Sequence, residues 1–137
     1  MILTNFRMEK RGMPAVDKNF ILEDRIINME DRYITMVKGD TLSFGIELQD
    51  QYGAWVDVDS ATFVAKKNYN DAVALFEKTL NSGITRDAAG RYCVRVAPAD
   101  TEDAEAGCYY YALRIGKNTD VYTVMRGILE LEPEVTA

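Results

Sequence analysis

The sequence predicts an all-β protein, and three segments carry this prediction. Residues 41–48, 91–96 and 108–115 alternate in hydrophobicity with the two-residue period of a half-buried strand. Short clusters of glycine, asparagine and aspartate separate the apolar segments, as turns between strands do. The side chains expected to face the core are Leu42, Phe44, Ile46, Leu48, Tyr92, Val94, Val96, Tyr109, Tyr111, Leu113 and Ile115.

Three further strands are predicted, besides the segment 70–83 that is treated below. One is predicted at 33–37, and Lys38-Gly39-Asp40 then turns the chain, either as a hairpin or as a corner between sheets. Another follows at 61–66, after a turn at 50–53. The last strand spans 121–131, where Gly127 marks a bulge or a close approach. Seven to eight strands at this spacing are typical of an immunoglobulin-like antiparallel β-sandwich, which we expect over residues 32–137.

The segment 70–83 fits two structures. Asn70 or Asp71 could cap a helix that ends before Gly83, and periodicity alone favours this helix slightly. The neighbouring strands favour a loop at 68–73 followed by a strand at 74–80, which is our prediction.

Residues 1–31 mix charges and methionines without a sustained period, so we expect an irregular N-terminal arm there. Its apolar patch, Phe20, Ile21 and Leu22, either folds onto the chain's own domain or covers a sheet edge or a partner. We predict that residues 1–31, together with a sheet edge, mediate self-association or pairing with a partner.

Composition excludes several functions. The 137-residue chain has no histidine, which rules out imidazole catalysis and His-ligated metal sites. Sixteen Lys and Arg against 22 Asp and Glu give a formal net charge of −6, which argues against nucleic-acid binding. No glycine motif for phosphate binding occurs. We therefore expect no catalytic residues, no cofactor and no metal.

The two cysteines, Cys93 and Cys108, match no zinc or CxxC spacing. Buried or half-buried free thiols are expected, and a single bridge between neighbouring strands stays open. The first residues lack a signal-peptide pattern, and charges interrupt every apolar stretch, so we expect no membrane span.

Aromatic side chains are the best candidates for binding. Alternation buries Tyr109 and Tyr111 and leaves Tyr110 on the opposite face. Tyr110 and Trp55 are therefore candidates for a protein interface or for stacking on sugars. Loop carboxylates could instead form a catalytic pair, although loop acids usually face solvent; they are Asp57, Asp59, Asp100, Asp103 and Glu105.

From about residue 33 to its end, the chain resembles a family of bacteriophage and prophage tail proteins. The family is the immunoglobulin-like domain related to the N-terminal part of the baseplate upper protein in phages of Gram-positive bacteria. The resemblance lies in the order and spacing of Lys38-Gly39-Asp40-Thr41, Asp50, Gly53, Val56-Asp57-Val58, Ala61, Lys78, Gly83-Ile84-Thr85, Gly90, Pro98-Ala99-Asp100-Thr101, Gly107, Tyr109-Tyr110-Tyr111, Val121-Tyr122-Thr123-Val124, Gly127 and Glu134-Val135-Thr136.

This resemblance implies a non-enzymatic structural component of a virion tail, made in the bacterial host cytoplasm. Its partners would be other tail or baseplate proteins, with homo-oligomerisation as a further option. The long segment before residue 33 departs from the family pattern, as does the lack of a C-terminal region that would carry receptor-binding proteins. A carbohydrate-binding or adhesion module of the same fold is the alternative function.

Overall fold

The structure, a computed structural model, describes residues 3–10, 16–19, 32–50, 56–88 and 90–135. These residues contain strands and one short 3-10 turn at Pro98–Asp100, with no α-helix among them, so the all-β prediction is confirmed. The strands are β1 (Leu3–Lys10), β2 (Val16–Asn19), β3 (Arg32–Val37), β4 (Leu42–Asp50), β5 (Ser60–Lys66), β6 (Phe76–Leu80), β7 (Gly83–Arg86), β8 (Tyr92–Val96), β9 (Gly107–Lys117) and β10 (Asp120–Glu132).

All ten strands are hydrogen-bonded in the order β2-β1-β4-β8-β7-β6-β5-β9-β10-β3. Two pairs, β6–β7 and β3–β10, are parallel, and the others are antiparallel. The eight strands β3 to β10 form a mixed sheet that nearly closes into a barrel. Pairing is continuous from β2 to β3, so it does not by itself divide the strands into the two sheets of a sandwich.

The turn at 38–41 is a corner and not a hairpin. It joins β3 to β4, which lie at the two ends of the eight-strand sheet and are not hydrogen-bonded neighbours. Gly39 has a φ of 83°, which favours glycine, and its N–H donates to Thr101 Oγ1 at 2.9 Å. Thr101 is fully buried, so this bond ties the corner to the linker between β8 and β9.

The core contains every side chain that alternation assigned to it on β4, β8 and β9. Its centre is the fully buried Phe63 of β5, whose ring lies 5.2 Å from the ring of Phe44 and 5.6 Å from that of Phe76. The ring of Tyr111 also packs against that of Phe63, with the ring centroids 5.7 Å apart. Aromatic rings from four strands thus meet at one point.

The prediction of a loop and then a strand after residue 67 is confirmed, and a helix over 70–83 is wrong. The chain is irregular until Leu75, whose N–H donates to Ala65 O at 2.7 Å, and β6 begins at Phe76. Phe76 is buried beside Phe63. Pairing with β5 therefore outweighs the local helical pattern.

Of the two alternatives predicted for Gly127, a bulge is wrong, because the irregularity of β10 lies three residues earlier. A close approach at Gly127 stays a prediction. The register with β9 shifts between Thr123 and Met125, while Gly127 pairs regularly with Tyr111. Val124 and Met125 are both fully buried, although they are consecutive in the chain. A bulge turns two successive side chains to the same side of a strand, which explains this double burial.

Parts of the predicted N-terminal arm belong to the sheet. β1 pairs antiparallel with β4, and β2 pairs with β1. The patch Phe20, Ile21 and Leu22 lies outside the described residues, as does most of the predicted turn at 50–53. The division of the chain at residue 32 stays a prediction.

Candidate functional site: a tyrosine face on the sheet

Strand β9 sends its tyrosines to both sides of the sheet. Tyr109 and Tyr111 are buried in the core, and Tyr110 points outward and is half-buried. Burial raises the pKa of the Tyr109 hydroxyl, which donates to Glu105 O at 2.6 Å. The predicted placement of Tyr110 is confirmed, whereas its role in binding stays a prediction.

Tyr110 belongs to a row of outward residues that crosses four adjacent strands. The register aligns Tyr33 of β3, Ile128 of β10, Tyr110 of β9 and Lys66 of β5. Ile128 and Tyr110 are half-buried, whereas Tyr33 is 59% exposed. We call the outward side of β3, β10, β9 and β5, with Tyr69, the tyrosine face.

Tyr69 adds a second ring to this row. It follows β5, and its ring stacks on that of Tyr110 with centroids 4.0 Å apart and an interplanar angle of 22°. A short turn holds the loop in place: Asn68 N–H donates to Asp71 Oδ2 at 3.0 Å, and Asp71 N–H donates to Asn68 O at 3.2 Å. Tyr69 is nevertheless 74% exposed, so the stack presents a fixed aromatic ring to solvent.

Tyr33 is fixed at the other end of the row. Its hydroxyl donates to Glu130 Oε2 at 2.7 Å, and this hydrogen bond raises the pKa of the Tyr33 hydroxyl above its ordinary value. The Cys108 thiol makes a smaller contribution in the same direction. Tyr33 and Tyr69 are therefore two exposed tyrosines that are each held by a neighbouring side chain.

The outward side of β4, β8 and β7 has a different character. Its side chains are polar, charged or small, and we call this side, together with Arg91 just before β8, the charged face. Its strand residues are Ser43, Gly45, Glu47, Thr85, Cys93 and Arg95. Arg91 Nη1 lies 3.3 Å from Glu47 Oε1, and Arg91 Nε lies 3.5 Å from Asp87 Oδ2. The hydrogen bond to Glu47 raises the pKa of the Arg91 guanidinium.

Three of the candidate carboxylates make structural contacts. Asp59 Oδ2 accepts the Asn118 N–H at 2.7 Å, and Asp100 Oδ2 lies 2.7 Å from Lys78 Nζ. Asp57 Oδ1 lies 3.3 Å from Arg86 Nε and accepts the Tyr92 hydroxyl at 3.3 Å. These acids act as turn caps and ion-pair partners.

Both cysteines are free, as expected, but both are exposed and not buried or half-buried. Cys93 lies opposite Gly45 on the charged face, and Cys108 lies opposite Glu130 on the tyrosine face. Each occupies an outward position of its strand, because alternation gives the inward positions to Val94 and Tyr109.

Trp55, the other aromatic candidate, lies outside the described residues. Sequence reasoning missed Tyr69, which lies in a loop and is 41 positions away from Tyr110 (110 − 69 = 41). No local signal links the two rings, because their contact depends on the register between β5 and β9.

A scan against protein-family models matches no family, and no curated protein matches the chain. Among the residues that the structure describes, no helix is both long enough and apolar enough to cross a membrane.

Proposed function

We propose that the protein is a non-enzymatic structural or assembly protein of a bacteriophage or prophage tail or baseplate, acting through protein–protein contacts. The observation that carries the proposal is the tyrosine face, where Tyr69 and Tyr33 stand exposed and Ile128 is half-buried. Tyrosine is enriched at protein interfaces, because its ring buries apolar area while its hydroxyl stays hydrated or bonded.

The tail assignment is supported by the sequence resemblance described above, which runs in order from Lys38 to Thr136. The immunoglobulin-like arrangement of residues 32–137 belongs to the same proposal. It is supported by the short strands at regular spacing. In this role the chain is made in the host cytoplasm and is incorporated into the virion tail.

The fixed geometry of the face suits contact with a folded partner. Tyr69 is held by its stack on Tyr110, and Tyr33 is held by its bond to Glu130. Ordered side chains lose less conformational freedom on binding, so more of the contact energy remains for association.

Incorporation into particles tests the proposed function. Particles released after prophage induction in the strain that encodes the chain are purified on a density gradient and quantified by mass spectrometry. We expect the chain in a fixed ratio to other tail proteins, and we expect deletion of its gene to give particles with defective tails. Particles that lack the chain would overturn the tail assignment.

Carbohydrate binding is the second candidate, and the exposure of the Tyr69 ring favours it. An aromatic ring held in one plane can stack on the apolar face of a sugar. A glycan array tests this function directly. Binding that is lost in Tyr69→Ala but kept in Arg95→Ala, on the charged face, would support a glycan site. An array without any binding would reject it.

A further inference from the structure

Strands β1 and β2 form a two-stranded ribbon beside the eight-strand sheet. β1 is hydrogen-bonded to β4 on one side and to β2 on the other, and β2 pairs with β1 alone among the described strands. The strand pairing between the ribbon and the eight-strand sheet therefore runs along a single edge, that of β4. We call β1 and β2 together the β1–β2 ribbon.

The ribbon covers a part of β4 that the rest of the sheet leaves open. β8 pairs with residues 42–46 of β4, whereas β1 pairs with residues 44–50. Beyond residue 46, β1 is thus the one described strand that pairs with β4. Without a neighbouring strand, the backbone N–H and C=O groups along this edge would be open to pairing with another strand.

Register and charge select β1 as the strand for this edge. Phe6 pairs with Leu48, which is buried in the core, and Arg7 lies opposite Glu47. A slip of two residues would lose the second pair, and in one direction it would place Glu9 opposite Glu47. Like charges directly opposite each other destabilise a strand pair. The edge therefore fits β1 of this chain, and it fits β1 of a second copy equally well, because the two sequences are identical.

The connection from β2 to β3 is longer than pairing within one chain requires. Asn19 ends β2 and Arg32 begins β3, so 12 residues lie between them (32 − 19 − 1 = 12). Both lie at the end of the sheet away from the corner at 38–41, since Asn19 pairs with Asn5 and Asn5 pairs with Gln49. Twelve residues span ~40 Å when extended, whereas β2 lies only two strand spacings, ~10 Å, from β4. This length allows the ribbon to reach a neighbouring copy.

We propose that the β1–β2 ribbon exchanges between copies of this chain, so that β1 of one copy pairs with β4 of a second copy in the register seen within one chain. The strand contacts are the same in both arrangements. The balance therefore depends on the concentration of copies relative to the effective concentration of the ribbon within its own chain, which is on the order of 1 mM for a short tether.

A dilute chain keeps its own ribbon, whereas a multi-copy assembly favours exchange. The inference names a partner and a contact for the proposed function, and it rests on that function only for the crowding of many copies.

Disulfide trapping between two full-length variants tests the exchange. Both variants carry Cys93→Ser and Cys108→Ser; one also carries Asn5→Cys, and the other carries Gln49→Cys and a terminal tag. Asn5 and Gln49 are paired across antiparallel strands, where Cα atoms lie ~4.5–5.5 Å apart, a distance that a disulfide spans. The variants are unfolded in urea, refolded together, oxidised and separated on a non-reducing gel.

A disulfide between the two variants requires β1 of one chain to lie on β4 of the other. We expect a mixed dimer, identified by its mass, whose fraction rises several-fold between about 0.1 mM and about 1 mM protein.

Two controls complete the experiment. Asn5→Cys mixed with Ser43→Cys measures random collisions, because position 43 lies ~20 Å along β4 from the partner of Asn5. Asn5→Cys and Gln49→Cys in the same chain should form a disulfide within the monomer at low concentration.

A mixed dimer no more abundant than in the Ser43→Cys control would overturn the exchange. A double variant without an internal disulfide would overturn the strand pairing on which the exchange depends. Either failure leaves incorporation into tail particles untouched. Absence from particles, conversely, refutes the tail function and not the exchange.

Discussion

The tyrosine face and the charged face are two outward sides of the same sheet, yet their half-buried side chains differ in character. On the charged face, Arg91 is paired with Glu47 within the chain. On the tyrosine face, the half-buried centre is formed by Val64, Ala112 and Ile128. Alternation places side chains outward on both sides, so the residue types at the outward positions make the difference. The comparison shows that alternation along a strand predicts which positions face outward, while the residue types at those positions determine what the surface can bind.

The largest effect is expected for a substitution in the core, which lies behind both faces. Phe63→Ala deletes the fully buried ring that contacts Phe44 of β4 and Tyr111 of β9, behind the two faces. We expect a loss of about 3–5 kcal/mol in the free energy of unfolding, measured by urea denaturation. Val121→Ala, at a 58% exposed position, is the control and should change it by less than about 0.5 kcal/mol. Equal effects of the two substitutions would show that Phe63 is not the centre of the core.

A smaller effect is expected at Tyr92, which lies behind the charged face. Its buried hydroxyl accepts the Val58 N–H at 2.9 Å, so Tyr92→Phe leaves that donor without this partner. We expect a loss of roughly 1–2 kcal/mol in the free energy of unfolding near neutral pH, from urea denaturation.

The same variant has a pH signature. Burial raises the pKa of Tyr92 in the folded chain above the value of about 10 for an unfolded chain. The stabilisation is complete below that unfolded pKa and is lost as the pH rises through the folded pKa, because the unfolded state releases its proton first. Tyr92→Phe should therefore lose less stability than the wild type between about pH 9 and pH 11. Identical losses of stability in the wild type and in Tyr92→Phe would contradict a raised pKa at Tyr92.

The smallest effect is expected for a substitution on the charged face itself. Arg91→Ala removes contacts to Glu47 and Asp87, in which the Arg91 side chain is 46% exposed. Exposed ion pairs contribute little, so the free energy of unfolding should fall only slightly, by less than in Tyr92→Phe. The difference should shrink in about 1 M salt, because salt screens exposed charges. A large loss that is insensitive to salt would mean that Arg91 acts through packing.

Much of the fold could be predicted from the sequence, because alternation reports directly on burial. The core residues of β4, β8 and β9 and the outward position of Tyr110 follow from a two-residue period alone. The parallel pairing of β3 with β10 could not be predicted in this way. Strand pairing depends on which edges meet in three dimensions, and a local pattern carries no information about that.

The candidate site was predictable only in part, for the same reason. Tyr110 carries a strand signal, whereas Tyr69 lies in an irregular loop and reaches Tyr110 only after β5 and β9 have paired. The complete burial of Thr101 was missed as well, because it lies in a linker of polar and acidic residues. Its partner, the N–H of Gly39, is 62 positions away in the chain.

The parallel pair of β3 and β10 has a consequence for synthesis on the ribosome. β3 begins at Arg32, whereas its partner strand ends at Glu132. The pair cannot form until β10 has left the exit tunnel, since synthesis proceeds from the N-terminus. Contacts between residues so far apart in sequence slow folding. The eight-strand sheet is therefore completed only once β10 is available, and nascent chains truncated before β10 should present β3 to chaperones or to each other.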